Sequence, residues 1–147
     1  MADPAGLAVR PASDADRAAL HALRTDVFVG EQGVPPELEQ DEWDALADHV
    51  VATDAAGVVV GTGRLIVRDR GVGIVQRMAV RRDARGRGIG AALLAALEER
   101  ARDRALQVVE LHAQAHAQPF YERAGYTAYG EPFREAGIEH VSMRKVL

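Results

Sequence analysis

Five arginines and three glycines fall within residues 77–90, in the run Val75-Gln-Arg-Met-Ala-Val-Arg-Arg-Asp-Ala-Arg-Gly-Arg-Gly-Ile-Gly90. The run reads as strand, turn and helix, with the glycines at the helix entrance. Glycine lets a backbone approach a ligand closely, and the first-turn amides of a helix have no internal partners. With the positive end of the helix dipole, those amides make an anion site suited to a phosphate. Residues 77–87 carry a net +4 and the rest of the chain −8, a split that one polyanionic ligand explains better than general solubility does. Two sharper patterns compete. Gly86-x-Gly88-x-x-Ala91 also fits a dinucleotide fingerprint, with Glu110 about 20 residues on as the ribose-binding acid. Only 37 residues follow Glu110, too few for a second mononucleotide half, so a nucleotide-binding oxidoreductase is the weaker reading. His112-x-x-x-His116 has the spacing of a metal pair but straddles a strand end and a helix start, so no metal is expected.

Composition narrows the field further. Eighteen basic and 22 acidic side chains give a formal charge of −4 over 147 residues, which opposes nucleic acid and anionic membranes as partners. The single lysine, Lys145, follows no glycine-rich turn, which removes a P-loop. With no cysteine there is no disulfide framework and no thiolate nucleophile. The start, Met1-Ala-Asp-Pro-Ala-Gly-Leu7, has neither a basic nor an apolar signal region. The most apolar stretch, 89–97, falls short of the ~18–20 residues a membrane span needs. A cytoplasmic protein of one domain, residues 1–147, is the expectation.

The elements that must position the glycine-rich turn follow from periodicity. Residues 7–11 read as a strand. Ser13 and Asp16 form a capping box before a helix that carries Leu20, Leu23 and Val27 on one face and runs to about Val29. Gly30 to Trp43 is a long loop rich in Gly, Pro, Glu and Gln, and long loops in compact domains are often functional. Residues 49–53 and 58–67 are strands joined at Asp54-Ala-Ala-Gly57, and Gly71 and Gly73 break the chain again. In the strand 74–80, Val75, Arg77 and Ala79 alternate with Ile74, Gln76, Met78 and Val80. Ile89, Leu93, Leu94, Leu97 and Ala101 mark a second amphipathic helix. A strand at 106–113, a short helix at 115–124 capped by Gly125, and strands at 126–129 and 140–146 complete the order βαβββαβαββ. A strand meander followed by crossovers implies an α/β fold with a mixed sheet flanked by helices.

Arg85-x-x-Gly88-x-Gly90 resembles the Q/R-x-x-G-x-G/A signature of the GNAT superfamily of acyl-CoA-dependent N-acyltransferases. Met78-Ala-Val80 resembles the family's central strand, and Pro119-Phe-Tyr-Glu-Arg-Ala-Gly-Tyr126 its late helix motif. Val27-Phe-Val-Gly-Glu-Gln-Gly-Val-Pro35, His49-Val-Val-Ala52, Leu111-His-Ala-Gln-Ala-His-Ala117 and Ala136-Gly-Ile-Glu-His140 are similar to a small bacterial branch, the ElaA/YjcF-like proteins. One short signature is weak; several in the same order across nearly the whole chain are specific.

The resemblance implies a V-shaped split between two central parallel strands, holding acetyl-CoA as co-substrate. Backbone groups of the Met78-Ala79-Val80 strand end would bind the pantetheine amides. Those of Arg85, Gly86, Arg87, Gly88, Ile89 and Gly90 would hold the pyrophosphate. Gln114 stands where the family often has Asn, and its longer amide can still reach the cofactor. Transfer would be direct: a neutral amine attacks the thioester carbonyl, an oxyanion develops, and the thiolate leaves with a proton. Tyr121 matches the family's general acid, although its type and place equally suit a core aromatic. Glu31, Glu110, His112 and His140 are candidates to accept the ammonium proton or bind the acceptor. Glu31 and Gln32 open the long loop, where substrate recognition is expected. That loop holds Glu31, Glu37, Glu39, Asp41 and Glu42 and no basic residue, which favours a cationic amine. Aminoglycoside, amino sugar, polyamine, peptide N-terminus and lysine acceptors all stay open. A homodimer is among the expectations, because family members often dimerise. The competing reading from another class is a non-catalytic acyl-CoA-binding or regulatory module of the same fold.

Overall fold

In the computed structural model, which describes residues 6–147, seven strands form one sheet in the order β1-β2-β3-β4-β5-β7-β6. They are β1 (Ala8–Pro11), β2 (Asp48–Thr53), β3 (Val59–Asp69), β4 (Val72–Val80), β5 (Val108–Gln114), β6 (Thr127–Glu135) and β7 (Ile138–Val146). The helices are α1 (Arg17–Arg24), α2 (Pro36–Glu39), α3 (Ile89–Asp103) and α4 (Gln118–Arg123). Residues 1–5, part of the start that reads as carrying no signal region, lie outside the described residues. Among the described residues no helix is long and apolar enough to cross a membrane.

Helix α3 covers one face of the sheet. Its Leu93, Leu94 and Leu97 are buried with Val50, Leu65, Val75 and Val109. It lies close because β3 presents glycine there: a Cβ at Gly61 would come within 2.9 Å of Leu93 and one at Gly63 within 2.8 Å of Leu97. Leu23 and Val27 bury the opposite face against Ala79. The expected capping box is present, with the Ser13 amide donating to the Asp16 carboxylate at 2.7 Å.

Four elements depart from the sequence reading. The first helix is α-helical only to Arg24 and widens into a π-helix over Thr25–Glu31, where the Gln32 amide reaches back to the Val27 carbonyl. The apolar spacing cannot distinguish the two, since Val27 faces the core in either. The long loop contains α2 and a 3₁₀ turn, Glu42–Ala45. Gly73 lies inside β4, paired with Val67 and Val109, rather than breaking the chain. Finally, β6 and β7 are longer than expected and meet in a two-residue turn, Ala136-Gly137, at φ 52° and 77°.

The expected alternation along β4 is also broken. Thr62 faces Ala79 while Arg64 faces Gln76, so β4 carries one extra residue, and Arg77 adopts φ 58°. This bulge moves Met78 to the α3 face with Val75, and leaves Ala79 against α1. Val75 and Ala79 therefore pack on opposite faces.

Strands β4 and β5 are the sheet's parallel pair, in register only from Val72–Ile74 against Val108–Glu110. Beyond those residues each continues without a ladder to the other, which opens the V-shaped split.

Candidate active site

The split forms a cleft of about 600 Å³ between residues 75–80 of β4 and His112 and Gln114 of β5. A second hollow of about 440 Å³ lies over the glycine-rich turn and shares Val80 and Arg85 with the first. The two hollows thus adjoin at the end of β4.

The turn that ends the split is built for close approach. Gly88 is the N-cap of α3 at φ 78°, and Gly86 has φ 81°. No atom lies within 4 Å of a Cβ built at either, so backbone conformation rather than crowding selects glycine there. The α3 amides face a hollow that Arg123 and Phe120 of α4 also line, two residues to which the sequence reading gave no ligand role. Arg85 donates to the Val80 carbonyl at 2.9 Å and pairs with Glu31 at 2.9 Å. The basic island is smaller than its sequence suggests. Arg81 pairs with Asp83 at 2.5 Å, and the bulge sends Arg77 the other way, to the carbonyls of Leu38 and Glu39 and to Asp41.

Tyr121 on α4 lines the cleft, and its hydroxyl lies 3.7 Å from Met78 Sδ. Its ring packs edge-on against Phe120 and Tyr126. Burial pushes its phenol up to about 12, so the hydroxyl keeps its proton at neutral pH. Tyr126, by contrast, is a core residue whose hydroxyl donates to Glu98 at 2.8 Å.

Across the cleft, Gln114 donates to Gln32 at 2.7 Å, joining β5 to the end of the π-helix. His112 and His140 line the same wall with Glu135, a residue the sequence reading did not single out. The extended hairpin brings Glu135 there, and the Ala136-Gly137 dipeptide was the available signal for it. Glu110 shares a strand face with His112 but lies outside the cleft lining and pairs with Arg68 at 2.7 Å. Glu31 is not among the lining residues but pairs with Arg85, which is. His116 bonds Gln114 at 2.8 Å, and no described group of three His, Asp or Glu is placed to hold a metal ion.

The acidic loop proves to be internal wiring. Arg24 holds Glu39 and, at 2.7 Å, Asp44; Arg64 holds Asp41 and Asp44, each at 2.7 Å. Both guanidiniums are 1% exposed. Burial pushes the Asp44 carboxyl up, but the hydrogen bonds from Arg24 and Arg64 outweigh it and hold it well below the usual carboxylate range. Glu39 and Asp41 are therefore not free to attract a substrate, which removes much of the loop's charge argument for a cationic acceptor.

The sequence profile described as acetyltransferase (GNAT) domain matches residues 12–147. The chain is 40% identical over 124 residues to the "Uncharacterized N-acetyltransferase YjcF" of Bacillus subtilis, covering 84% of this chain and 87% of that one. Among solved structures it is similar to an acyl-CoA N-acyltransferase from Pseudomonas aeruginosa, with a TM-score of 0.83, 32% identity and coverage of 95% and 98%. Escherichia coli ElaA superposes with a TM-score of 0.83, at 26% identity and coverage of 95% and 99%. A split parallel pair ending on a glycine-rich helix entrance, with this match across almost the whole sequence, identifies the chain as a member of the GNAT family of acyl-CoA-dependent acetyltransferases.

Proposed function

We propose that the protein moves an acetyl group from acetyl-CoA directly onto a primary amine of a cationic small molecule or peptide. The observation that carries this reading is the split between β4 and β5, open on one side to the glycine-rich turn and on the other to the π-helix and α2. The unpaired edge of β4 around Met78, Ala79 and Val80 suits the pantetheine amides, and the amides of 85–90 suit the pyrophosphate. Arg123 and Arg87 supply cationic charge near that end. Gln114 and Gln32 would flank the acyl end of the cleft. Acetyl-CoA supplies an activated thioester; the amine forms the C–N bond as the C–S bond breaks, and the departing thiolate needs a proton. Tyr121 would give it: the residue lines the cleft and its phenol stays protonated, which supports that role.

The acceptor's charge now rests on Glu135 instead of the acidic loop. Two carboxylates line the cleft, and Glu39 is bound by Arg24, whereas the recorded ion-pair partners of Glu135 are histidines. One uncompensated carboxylate favours an acceptor with a single ammonium at the reacting end.

The test is thiol release from acetyl-CoA over a panel of amines, beside a thermal shift with acetyl-CoA alone. Saturating acetyl-CoA should raise the melting temperature by ligand linkage, and cationic primary amines should release thiol fastest. No thermal response overturns the reading. A thermal response without thiol release from any amine favours a binding module instead.

A further inference from the structure

We propose that Glu135 and His112 form a carboxylate–imidazole pair in which His112 Nε2 takes the proton from the acceptor's ammonium. The inference rests on the amine-acetylation reading above. It names the base that reading leaves open.

The geometry begins at His112 Nδ1, which lies 3.2 Å from Glu135 Oε1. A carboxylate oxygen accepts, so Nδ1 carries the hydrogen, and in the neutral ring the lone pair is left on Nε2. The ring is held from a second side by Phe133, edge-on at 4.8 Å between centroids. The side chain is nonetheless 49% exposed and lines the cleft, so Nε2 can be reached by a ligand. A carboxylate that fixes the tautomer and stabilises the imidazolium is the arrangement that turns a histidine into an effective base.

His140 lies beside this pair. Its Nδ1–H donates to the Ile138 carbonyl at 2.7 Å, and its ring stacks on Phe133. Its Nε2 faces the other Glu135 oxygen at 3.7 Å. His140 is buried, so of the two imidazoles it is the half-exposed His112 that is open to the substrate. The other charged groups around the cleft are committed elsewhere. Arg77 serves Asp41 and the α2 carbonyls, Arg85 holds Glu31, and Glu39 is held by Arg24. His116 meets an amide oxygen and has no carboxylate partner among its recorded contacts.

In the step itself, one N–H bond of the ammonium breaks and an Nε2–H bond forms. The positive charge passes to the imidazolium beside Glu135, and the electron pair of the broken bond becomes the amine's lone pair. No further reactant is needed.

Two probe amines separate a base from a structural residue. Hydroxylamine is largely neutral at neutral pH and can attack without first losing a proton; the one it sheds after attack balances the proton taken by the thiolate. In contrast, n-butylamine is an ammonium and must give up an additional proton before it can attack. With acetyl-CoA, His112→Gln should lose about 100-fold in kcat/KM for n-butylamine and stay within about 3-fold for hydroxylamine. Glu135→Gln, acting through His112, should show the same selectivity with a loss of about 10-fold. Equal losses on both amines, no loss on n-butylamine, or a wild type inactive on both overturns the proposal. The acetyl-CoA thermal shift should be unchanged in both variants, which confirms that they fold. Nitrogen-15 histidine spectra of the acceptor-free protein give a second, activity-independent readout. His112 should be the Nδ1–H tautomer in the wild type and a mixture in Glu135→Gln; an Nε2–H ring, or no response to the variant, overturns the pair. If acetyl-CoA gives no thermal shift, the acetyltransferase reading itself fails, and the tautomer decides the pair alone.

Discussion

Tyr121 carries the sharpest single-residue consequence. A buried phenol pushed up to about 12 keeps its proton in place at neutral pH, ready for the leaving thiolate, although it is a weaker acid than the thiol it forms, ordinarily ~8.5. Removing the hydroxyl leaves the ring, and with it the edge-on packing on Phe120 and Tyr126. Tyr121→Phe should therefore lower kcat by about 10²- to 10⁴-fold, the usual worth of a placed general acid. The acetyl-CoA thermal shift should stay within error, because the sole recorded hydrogen bond lost is a weak one to Met78 Sδ. Steady-state kinetics beside a melting curve check both halves. A parallel loss of binding would mean that the residue serves the cofactor and not the proton.

At the scale of elements, the α2 segment is fastened by charge. It has four residues and buries only Glu39, so its own propensity cannot hold it. Arg24 from α1, and Arg64 and Arg77 from the sheet, hold it and the following turn through Glu39, Asp41, Asp44 and two backbone carbonyls. Asp44 is the shared node, and Asp44→Ala leaves two buried guanidiniums short of a partner. We expect a loss of about 3–5 kcal/mol, the cost of breaking a buried ion pair from one side. That corresponds to a fall on the order of 10 °C in melting temperature for a chain of this size, read by calorimetry. The same wiring explains what could be read in advance. The glycine-rich entrance, the Asp54 turn and the Gly125 cap depend on near neighbours and were legible from spacing. The turn accepts the Ala56 and Val58 amides on Asp54, and the cap returns the Gly125 amide to Glu122. The fate of the acidic loop depends on arginines 15 to 54 positions away, which no local pattern ties to it. The β4 bulge was hidden for a related reason, since it exists only in register with β3. Glu135 was missed because its strand was ended six residues early, at Tyr129.

Over the molecule as a whole, part of the acidic charge is neutralised by arginines within the fold rather than left free at the surface. Asp16, Asp41, Asp44 and Asp48 each sit on an arginine, and each is held below its ordinary value. For Asp16, Asp41 and Asp48 the arginine hydrogen bond is the leading cause, and for Asp44 it overcomes a larger cost of burial. Folded values below the unfolded ~3.9 mean that their stabilisation is complete above about pH 4 and is lost as pH falls through the folded values. His49 acts at a higher pH. Burial lowers it, opposed by its hydrogen bond to the Asp44 carbonyl at 2.8 Å. The unfolded imidazole therefore takes up protons first, and stability falls as pH drops below about 6.5. At the alkaline end Tyr121 works the other way. Its folded value of about 12 lies above the unfolded ~10, so stability is lost as pH rises past the latter. Acid unfolding should thus proceed in two stages, a shallow decline below about pH 6.5 and a steep one below about pH 4. His49→Gln isolates the first stage, because a glutamine amide can still donate to the Asp44 carbonyl but cannot titrate. Melting temperatures measured across that range should lose the shallow decline and keep the steep one. If the shallow decline persists in the variant, the buried histidine is not its source, and the stability of the charged layer beneath the cleft is set by its carboxylates alone.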